Sequence, residues 1–200
     1  MDYNDTFPEA EVEMYDPFWE IYSLRSNSWR KLDGLNIPVS LRDSYGVNLN
    51  EFCHWLGLTG DMVSFNFSNE MFSVTSLPSH SDIMQEPVNM HLGVLNECVS
   101  FVCTFAMTAY FHIWLLGELN VKESWTKLFV VGPLTCVMRP IAVGIKSIIF
   151  CIKENLELAQ IDLCTQTIED IRFEVESICK QIVIYKENYL PFGGMDNYFF

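Results

Sequence analysis

The residues of this chain that could take part in chemistry are scattered. The four histidines, His54, His80, His91 and His112, are isolated from one another in the sequence. His54 and His112 lie within apolar strand patterns beside tryptophans, where we expect hydrogen-bonded structural roles instead of general base catalysis. His80 lies in a loop close to Asp82 and is a candidate recognition contact. We therefore predict no catalytic residue.

The cysteines and glycines form no pattern that would hold a metal or a cofactor. The sequence has no CxxC pair, and its cysteines and histidines do not cluster at zinc spacing. Gly193-Gly194 lacks the strand-to-helix context and the lysine of a nucleotide fingerprint. Most cysteines lie in apolar strand patterns, which favours reduced core thiols in an intracellular protein. The seven are Cys53, Cys98, Cys103, Cys136, Cys151, Cys164 and Cys179.

Composition and charge narrow the classes of function. The chain of 200 residues is long enough for one domain with a sizeable core, and 50% of its residues are hydrophobic. Its formal net charge of −14 opposes a nucleic-acid partner, because such binders neutralise phosphates with Lys and Arg. Met1–Asp16 is acidic without any basic residue, and we predict a poorly ordered leader there. The N-terminus also lacks the basic start and apolar run of a secretory signal.

Four stretches of the chain repeat one pattern, in which an apolar strand, a short polar turn and an apolar anchor follow each other. The anchors are Trp29, Phe72, Trp125 and Ile168, spaced by 43, 53 and 43 residues. Further short apolar runs precede the last three anchors, and they are centred on Trp55, Val102 and Phe150. A period of this size with several strands per unit is typical of propeller blades. We therefore predict an all-β fold, a partial β-propeller-like array of antiparallel multi-stranded blades whose anchors pack between sheets.

The strand at the start of the second hairpin has the clearest alternation. Val63, Phe65 and Phe67 are expected on one face, and the intervening Ser64 and Asn66 on the other. This period of two predicts a half-buried strand.

The apolar stretch Cys98–Leu116 carries no formal charge and is long enough for a membrane helix. Its β-branched and aromatic residues, and its alignment with a strand pair in the other units, favour two buried strands. We expect them at Val99–Phe105 and Tyr110–Leu116, with a turn at Ala106–Ala109. A membrane anchor through Cys98–Leu116 is the alternative.

The order of these motifs resembles the C-terminal associated, kelch-like interaction domain of plant F-box proteins. The matching segments are WEIYSLRSNSWRKLD, EFCHWLG, MVSFNFSNEMFSVTSLP, FHIWLLGELNVKESWTKLFVVGPL and QIVIYKENYLP. The resemblance covers Asp16–Asn197 and implies a leader over residues 1–16 followed by an interaction domain over residues 17–200. It also implies a non-enzymatic domain that binds a target protein for ubiquitination by an SCF (Skp–cullin–F-box) ligase, in the cytoplasm, the nucleus or both.

Members of this family carry a helical F-box that joins the ligase adaptor and cullin. Met1–Asp16 lacks the amphipathic periodicity of such helices, so we expect the adaptor as a partner only if an F-box is supplied upstream or by another chain. The alternative is a truncated relative without a ligase role, which is either a competitor or a non-functional fragment. The candidate loops for target binding are Asp33–Tyr45, Ser79–Met90 and Leu134–Arg139, while the individual protein-binding residues are unknown from the sequence.

Overall fold

The computed structural model describes residues 19–32, 41, 46–58, 60–78, 87–105, 110–134, 137–144, 147–174 and 182. The chain divides into two compact units, Met1–Asn36 and Ile37–Phe200. Almost all regular structure in the described ranges is β-strand, and the exception is one turn of 3₁₀ helix at Lys122–Ser124. The predicted leader over residues 1–16 lies outside these ranges, so the boundary after residue 16 stays a prediction.

The first unit contains one antiparallel hairpin. Strands β1 (Glu20–Ser23) and β2 (Ser28–Lys31) pair in register from Glu20 opposite Lys31 to Ser23 opposite Ser28. Asn27 adopts a left-handed backbone with φ of 48° in the turn between the strands. Asparagine tolerates this conformation better than most residues, which explains why the chain reverses here. The hairpin is the predicted strand, turn and anchor of the first repeat.

The second unit consists of three four-stranded sheets, and in each sheet the antiparallel strands lie side by side in chain order. The first sheet contains β3 (Val47–Leu49), β4 (Phe52–Leu56), β5 (Asp61–Asn66) and β6 (Met71–Ser76). The second contains β7 (Pro87–Leu95), β8 (Cys98–Phe105), β9 (Phe111–Leu116) and β10 (Trp125–Val131). The third contains β11 (Val137–Val143), β12 (Ile148–Lys153), β13 (Glu157–Asp162) and β14 (Ile168–Glu174). The predicted all-β, propeller-like array of blades is thereby confirmed.

The sheets pack face to face through two apolar cores. Met62 and Leu56 of the first sheet share a cluster with Phe101 and Trp125 of the second. A second cluster joins the second and third sheets, and it includes Val102, Ile113, Ile149 and Ile161. All these side chains are at most 7% exposed. Because burial of apolar area supplies most of the favourable free energy of folding, the contacts between sheets hold the array together.

The second strand of each sheet carries one of the apolar runs that precede the anchors. Trp55 lies in β4, Val102 in β8 and Phe150 in β12. These strands lie between two others and read as nearly continuous apolar sequence. The prediction of several strands per unit is confirmed, and the observed number is four in every sheet of the second unit.

The prediction of a half-buried strand at Val63–Ser68 was wrong. Strand β5 ends at Asn66, and both of its faces are covered: Val63 and Phe65 are buried, and Ser64 on the opposite face is 0% exposed. Phe67 follows the strand and is 45% exposed. The buried Ser64 hydroxyl shares a hydrogen bond with His54 of β4, so a polar residue of an alternating pattern can be buried when it has such a partner.

The anchors do not share one environment. Trp125 is 7% exposed, and its indole nitrogen donates to the carbonyl of Ser76 in the first sheet at 3.0 Å. Trp29 is 66% exposed and contacts Tyr22 with a ring separation of 5.1 Å. The expectation that an anchor packs between sheets is confirmed for Trp125 and wrong for Trp29, because Trp29 lies on a two-stranded hairpin that covers little of its ring.

The apolar stretch Cys98–Leu116 forms two strands, as predicted. They are β8 and β9, and five residue pairs from Ser100 opposite Leu115 to Thr104 opposite Phe111 join them. The predicted turn at Ala106–Ala109 lies outside the described residues. In the described part of the chain, none of the helical structure is long and apolar enough to cross a membrane.

Candidate interaction surface

The histidines in strands have structural surroundings. His54 in β4 is 3% exposed, and its Nδ1 shares a hydrogen bond with the Ser64 hydroxyl of β5 at 2.8 Å. Burial lowers the pKa of His54 to about 4. A serine beside a histidine can form a nucleophile and base pair, but the Ser64 side chain is 0% exposed, so a substrate cannot reach it. The pair therefore has a structural role between strands β4 and β5 of the first sheet.

Two further histidines, His91 and His112, lie in the second sheet. His112 in β9 is 8% exposed, and burial and then the charge of Lys127 lower its pKa. Burial lowers the pKa of His91 in β7 to about 4, with a further contribution from Arg139 of the third sheet. Neutral, buried imidazoles are typical of packing residues. His80, the candidate recognition contact, lies outside the described residues.

Three of the five described cysteines, Cys53, Cys103 and Cys151, are buried. Burial raises the pKa of Cys53 to about 11 and that of Cys103 to about 12. Thiols with such high pKa values hold little thiolate at neutral pH and are poor metal ligands and nucleophiles. Within the ranges that the structure covers, no three His, Cys, Asp or Glu side chains come together to hold a metal ion.

Two of the predicted loop regions overlap strands. Residues 87–90 of the predicted loop Ser79–Met90 belong to β7, and residues 137–139 of the predicted loop Leu134–Arg139 belong to β11, so the loop prediction was wrong for these residues. They are strand because they pair with β8 and β12. Of the remaining residues in the three regions, only Leu41 and Leu134 lie within the described ranges. Their part in target binding therefore stays a prediction.

A different surface is well defined at one end of the first sheet, where two hairpin turns meet. We call it the turn patch. Its members are exposed, and they are Asn50, Glu51, Phe67, Ser68, Asn69 and Met71. Met71 is 62% exposed and Phe67 45%. The patch thus combines two large apolar side chains with a carboxylate.

Hydrogen bonds fix the shape of the turn patch. The backbone N–H of Phe67 donates to the carbonyl of Glu51 at 2.9 Å, and the Ser68 hydroxyl donates to the Glu51 carboxylate. Within the second turn, the Asn66 side-chain oxygen accepts from the backbone of Ser68 at 2.7 Å. The N–H of Met71 donates to the Asn69 side chain at 3.1 Å. These local side-chain bonds are typical of asparagine-stabilised turns.

The turn patch has the features of a protein contact. Apolar side chains that a rigid turn already holds in place lose little conformational entropy on binding. The ring of Phe67 is supported by an edge-to-face contact with Phe65, at a centroid separation of 5.3 Å. Glu51 lies beside them, and its charge suits a basic group on the partner.

The repeat pattern predicted a short polar turn between the two strands of the second hairpin but did not indicate this surface. The turn residues indicate where the chain reverses, whereas the meeting of Glu51 with Phe67 depends on the register in which β4 and β5 pair. Large apolar residues follow the alternating strand β5 at Phe67 and Met71, inside and next to a polar turn. This pattern is the sequence signal that could have located the turn patch.

Comparison with known proteins agrees with the architecture. The profile of one protein family, described as F-box associated beta propeller domain, matches residues 4–192. F-box protein CPR1 of Arabidopsis thaliana is 28% identical over 129 residues, which are 56% of this chain and 31% of that protein. An F-box/kelch-repeat protein of the same plant is 27% identical over 128 residues, which are 61% of this chain and 34% of that protein. The chain thus spans about a third of the length of these curated relatives.

Proposed function

Since the chain belongs to the F-box associated β-propeller family, we propose that it is a protein-recognition module that binds a target protein destined for ubiquitination. The membership rests on a family match over residues 4–192. A stack of rigid sheets whose turns carry variable side chains suits recognition of a protein surface. The module itself carries out no chemistry in this proposal, and the ligase subunits supply the transfer of ubiquitin.

The observation that carries the proposal is the turn patch of the first sheet. Exposed Phe67 lies in a turn and exposed Met71 opens the strand that follows it, and backbone and side-chain hydrogen bonds hold both positions. Large apolar side chains at the centre of a preorganised surface contribute most of the affinity in many protein complexes. We propose that the turn patch contacts the target and that residues 33–45, 79–86 and 134–136 of the predicted loops extend the contact.

The partners and the location follow from the same proposal. The adaptor and cullin of an SCF ligase join this module through an F-box, supplied upstream or by another chain. The module acts in the cytoplasm, the nucleus or both, where such ligases meet their targets. A relative that binds the same targets without a ligase would compete with ligase-bound modules.

An affinity purification tests this function. The tagged chain is expressed in plant cells under proteasome inhibition, and the bound proteins are identified by mass spectrometry beside those of two double variants. One carries Phe67→Ala and Met71→Ala in the turn patch. The matched control carries Leu128→Ala and Val130→Ala on β10, where the side chains are 39% and 43% exposed.

We expect a defined target whose recovery falls about tenfold with the patch variant, which corresponds to about 1.4 kcal/mol of binding free energy. The control variant should retain that target. Adaptor and cullin in the same eluate support the ligase role, and a target without them supports the competitor. Equal recovery from both variants would contradict the turn patch as the contact surface, and chaperones alone would contradict the recognition function.

A further inference from the structure

The first unit presents an apolar and basic surface to solvent. Its strands β1 and β2 and the turn between them carry large exposed side chains, which we call the hairpin surface. The members of this surface are Tyr22, Leu24, Arg25, Trp29, Arg30 and Lys31. Leu24 is 70% exposed, Trp29 66% and Tyr22 38%. Exposed apolar side chains that lie together are typical of interaction sites, whereas scattered ones are ordinary.

The aromatic residues of the hairpin surface lie on one face of the two strands. Tyr22 and Trp29 are directly opposite each other in the ladder, so their side chains point to the same side. Their ring centroids are 5.1 Å apart, with an interplanar angle of 48°. Lys31 shares this face, because residues two apart along a strand point the same way. The face therefore combines an aromatic pair with a cation.

Hydrogen bonds hold the turn of the hairpin surface in one shape. The Tyr22 hydroxyl donates to the side-chain oxygen of Asn27. The backbone N–H of Ser26 donates to the Ser23 hydroxyl at 3.3 Å, and the hydroxyls of Ser26 and Ser28 share a hydrogen bond at 2.9 Å. Side chains on a structure that is already ordered lose little conformational entropy when a partner binds.

The charge of the hairpin surface is opposite in sign to that of the chain. Arg25, Arg30 and Lys31 are three of the twelve Lys and Arg residues in a chain whose formal net charge is −14. In residues 19–32, the described part of the first unit, Glu20 is the only acidic residue, and it lies opposite Lys31 in the ladder. An acidic partner is therefore attracted to this surface and repelled by the rest of the chain.

The side chains of the hairpin surface favour a protein over other anionic partners. Trp, Tyr and Arg are the residues that contribute most often to the affinity of protein complexes. Nucleic-acid affinity rests on many phosphate contacts, and three cations on an acidic chain provide few of them. A second copy of the chain carries the same net negative charge, so two copies repel each other.

We propose that the hairpin surface binds an acidic segment of a partner protein. Carboxylates of that segment contact Arg25 and Lys31, and its apolar side chains cover the pair of Tyr22 and Trp29. The hairpin surface differs in charge from the turn patch, where Glu51 suits a basic group. The chain then offers two contact surfaces of opposite sign, and the inference about the hairpin surface does not rest on the turn patch.

Selection of peptides on the full chain tests the chemistry of the partner. A library of random peptides displayed on phage is selected against the immobilised chain and, in parallel, against its Arg25→Glu variant. We expect the unchanged chain to enrich peptides that are rich in Asp and Glu and contain a large apolar residue. The variant should not enrich them. Peptides without an acidic excess, equal enrichment by both proteins, or no enrichment at all would overturn the proposal.

Fluorescence anisotropy with one selected, labelled peptide then shows which residues bind it. Arg25→Glu and Trp29→Ala should each weaken binding about tenfold, because each removes a central contact. Lys122→Glu is the matched control for charge, since Lys122 is an exposed cation of the second unit. Phe173→Ala is the matched control for the aromatic side chain, since Phe173 is 63% exposed. If the controls weaken binding as much as the hairpin variants do, the proposal is wrong.

Two further measurements distinguish the acidic segment from other occupants. A single-stranded oligonucleotide that binds more tightly than the peptide, and loses affinity in Arg25→Glu, would assign the surface to nucleic acid. A dimer in analytical ultracentrifugation that Arg25→Glu dissociates would assign it to a second copy of the chain. Either result would overturn the proposal.

The turn-patch variant separates this proposal from the proposed function. The chain with Phe67→Ala and Met71→Ala should bind the selected peptide as tightly as the unchanged chain does. Loss of the target in the affinity purification and loss of the peptide are then two independent results. If the turn-patch variant loses the peptide while Arg25→Glu retains it, the peptide binds at the turn patch and the hairpin proposal is wrong.

Discussion

The degree of burial of a single residue determines its protonation and its hydrogen-bond partners in this protein. His54 and Ser64 satisfy each other inside the first sheet, and buried Cys53 and Cys103 have pKa values raised to about 11 and 12. Charged groups behave differently at the surface. Lys153 forms ion pairs with Asp170 at 3.0 Å and with Glu157 at 3.2 Å. Because both carboxylates are exposed to water, these ion pairs contribute little to stability.

His54 contributes to the dependence of stability on pH. Burial lowers its pKa to about 4 in the folded chain, from 6.5 in an unfolded chain. Between these two values the unfolded chain binds the proton and the folded chain does not, so a falling pH favours unfolding. At pH 5 this one group should reduce the free energy of unfolding by about 2 kcal/mol relative to pH 7.5.

Urea unfolding at pH 7.5 and pH 5 of the unchanged chain and of His54→Gln measures this contribution. The amide of glutamine can still bond to Ser64 but does not titrate. His91 and His112 are present in both proteins, so their contributions cancel in the comparison. Equal losses of stability on acidification in the two proteins would contradict the assignment to His54.

Equivalent positions of the repeat contribute differently to stability, because the strands and turns around them make different contacts. The last strand of each sheet begins at an anchor or one residue before it. Only some of these anchors contact a neighbouring sheet. The Asn120 backbone N–H, in the turn before Trp125, donates to the Thr75 hydroxyl of the first sheet at 3.0 Å. The turn before β10 and the indole of Trp125 therefore join two sheets, whereas Trp29 contacts Tyr22 of its own hairpin.

Alanine substitutions at the two tryptophan anchors should give very different results. Trp125→Ala removes a side chain that is 7% exposed and a hydrogen bond between sheets, and should cost about 3–5 kcal/mol of stability. Trp29→Ala removes a side chain that is 66% exposed and should change stability by about 0.5 kcal/mol or less. Chemical denaturation followed by far-ultraviolet circular dichroism measures both. Similar costs for the two variants would contradict the difference in environment.

Sequence periodicity predicted these elements well because strand pairing within a hairpin is local. Each anchor lies at the start of the last strand of its sheet, as the pattern predicted: Phe72 in β6, Trp125 in β10 and Ile168 in β14. Polar turns between the strands set the register. The half-buried prediction for Val63–Ser68 failed because alternation describes a strand's two faces but not what lies against each of them.

At the scale of the whole molecule, close approach of neighbouring sheets is the feature that organises the array. Gly93 in β7 faces β11 so closely that a Cβ placed on it would lie 2.5 Å from a methyl group of Val143. Real Cβ atoms do not approach other carbons this closely, so glycine is required at this position by space. Strands β7 and β11 approach each other this closely only because position 93 has no side chain.

A double-mutant cycle tests this contact. Gly93→Ala should destabilise the protein by about 1–3 kcal/mol, because the added methyl overlaps Val143. In combination with Val143→Gly, which removes both the methyl group and the Cβ that the added methyl would overlap, the double variant should be more stable than the sum of the two single effects by at least about 1 kcal/mol. Additive effects in urea unfolding would contradict a direct contact between the two sheets at this point.

The sequence by itself determined the local units: strands, polar turns, the repeat of hairpins and the all-β class. These depend on side-chain period and turn residues, which are properties of short segments. Only the tertiary structure decided which faces are buried. It separated Trp125 from Trp29, covered both faces of β5, brought Glu51 beside Phe67 and set Ile182 against Ile141. Burial is a property of surfaces that meet across long distances in the chain, and a pattern read along the chain does not contain it.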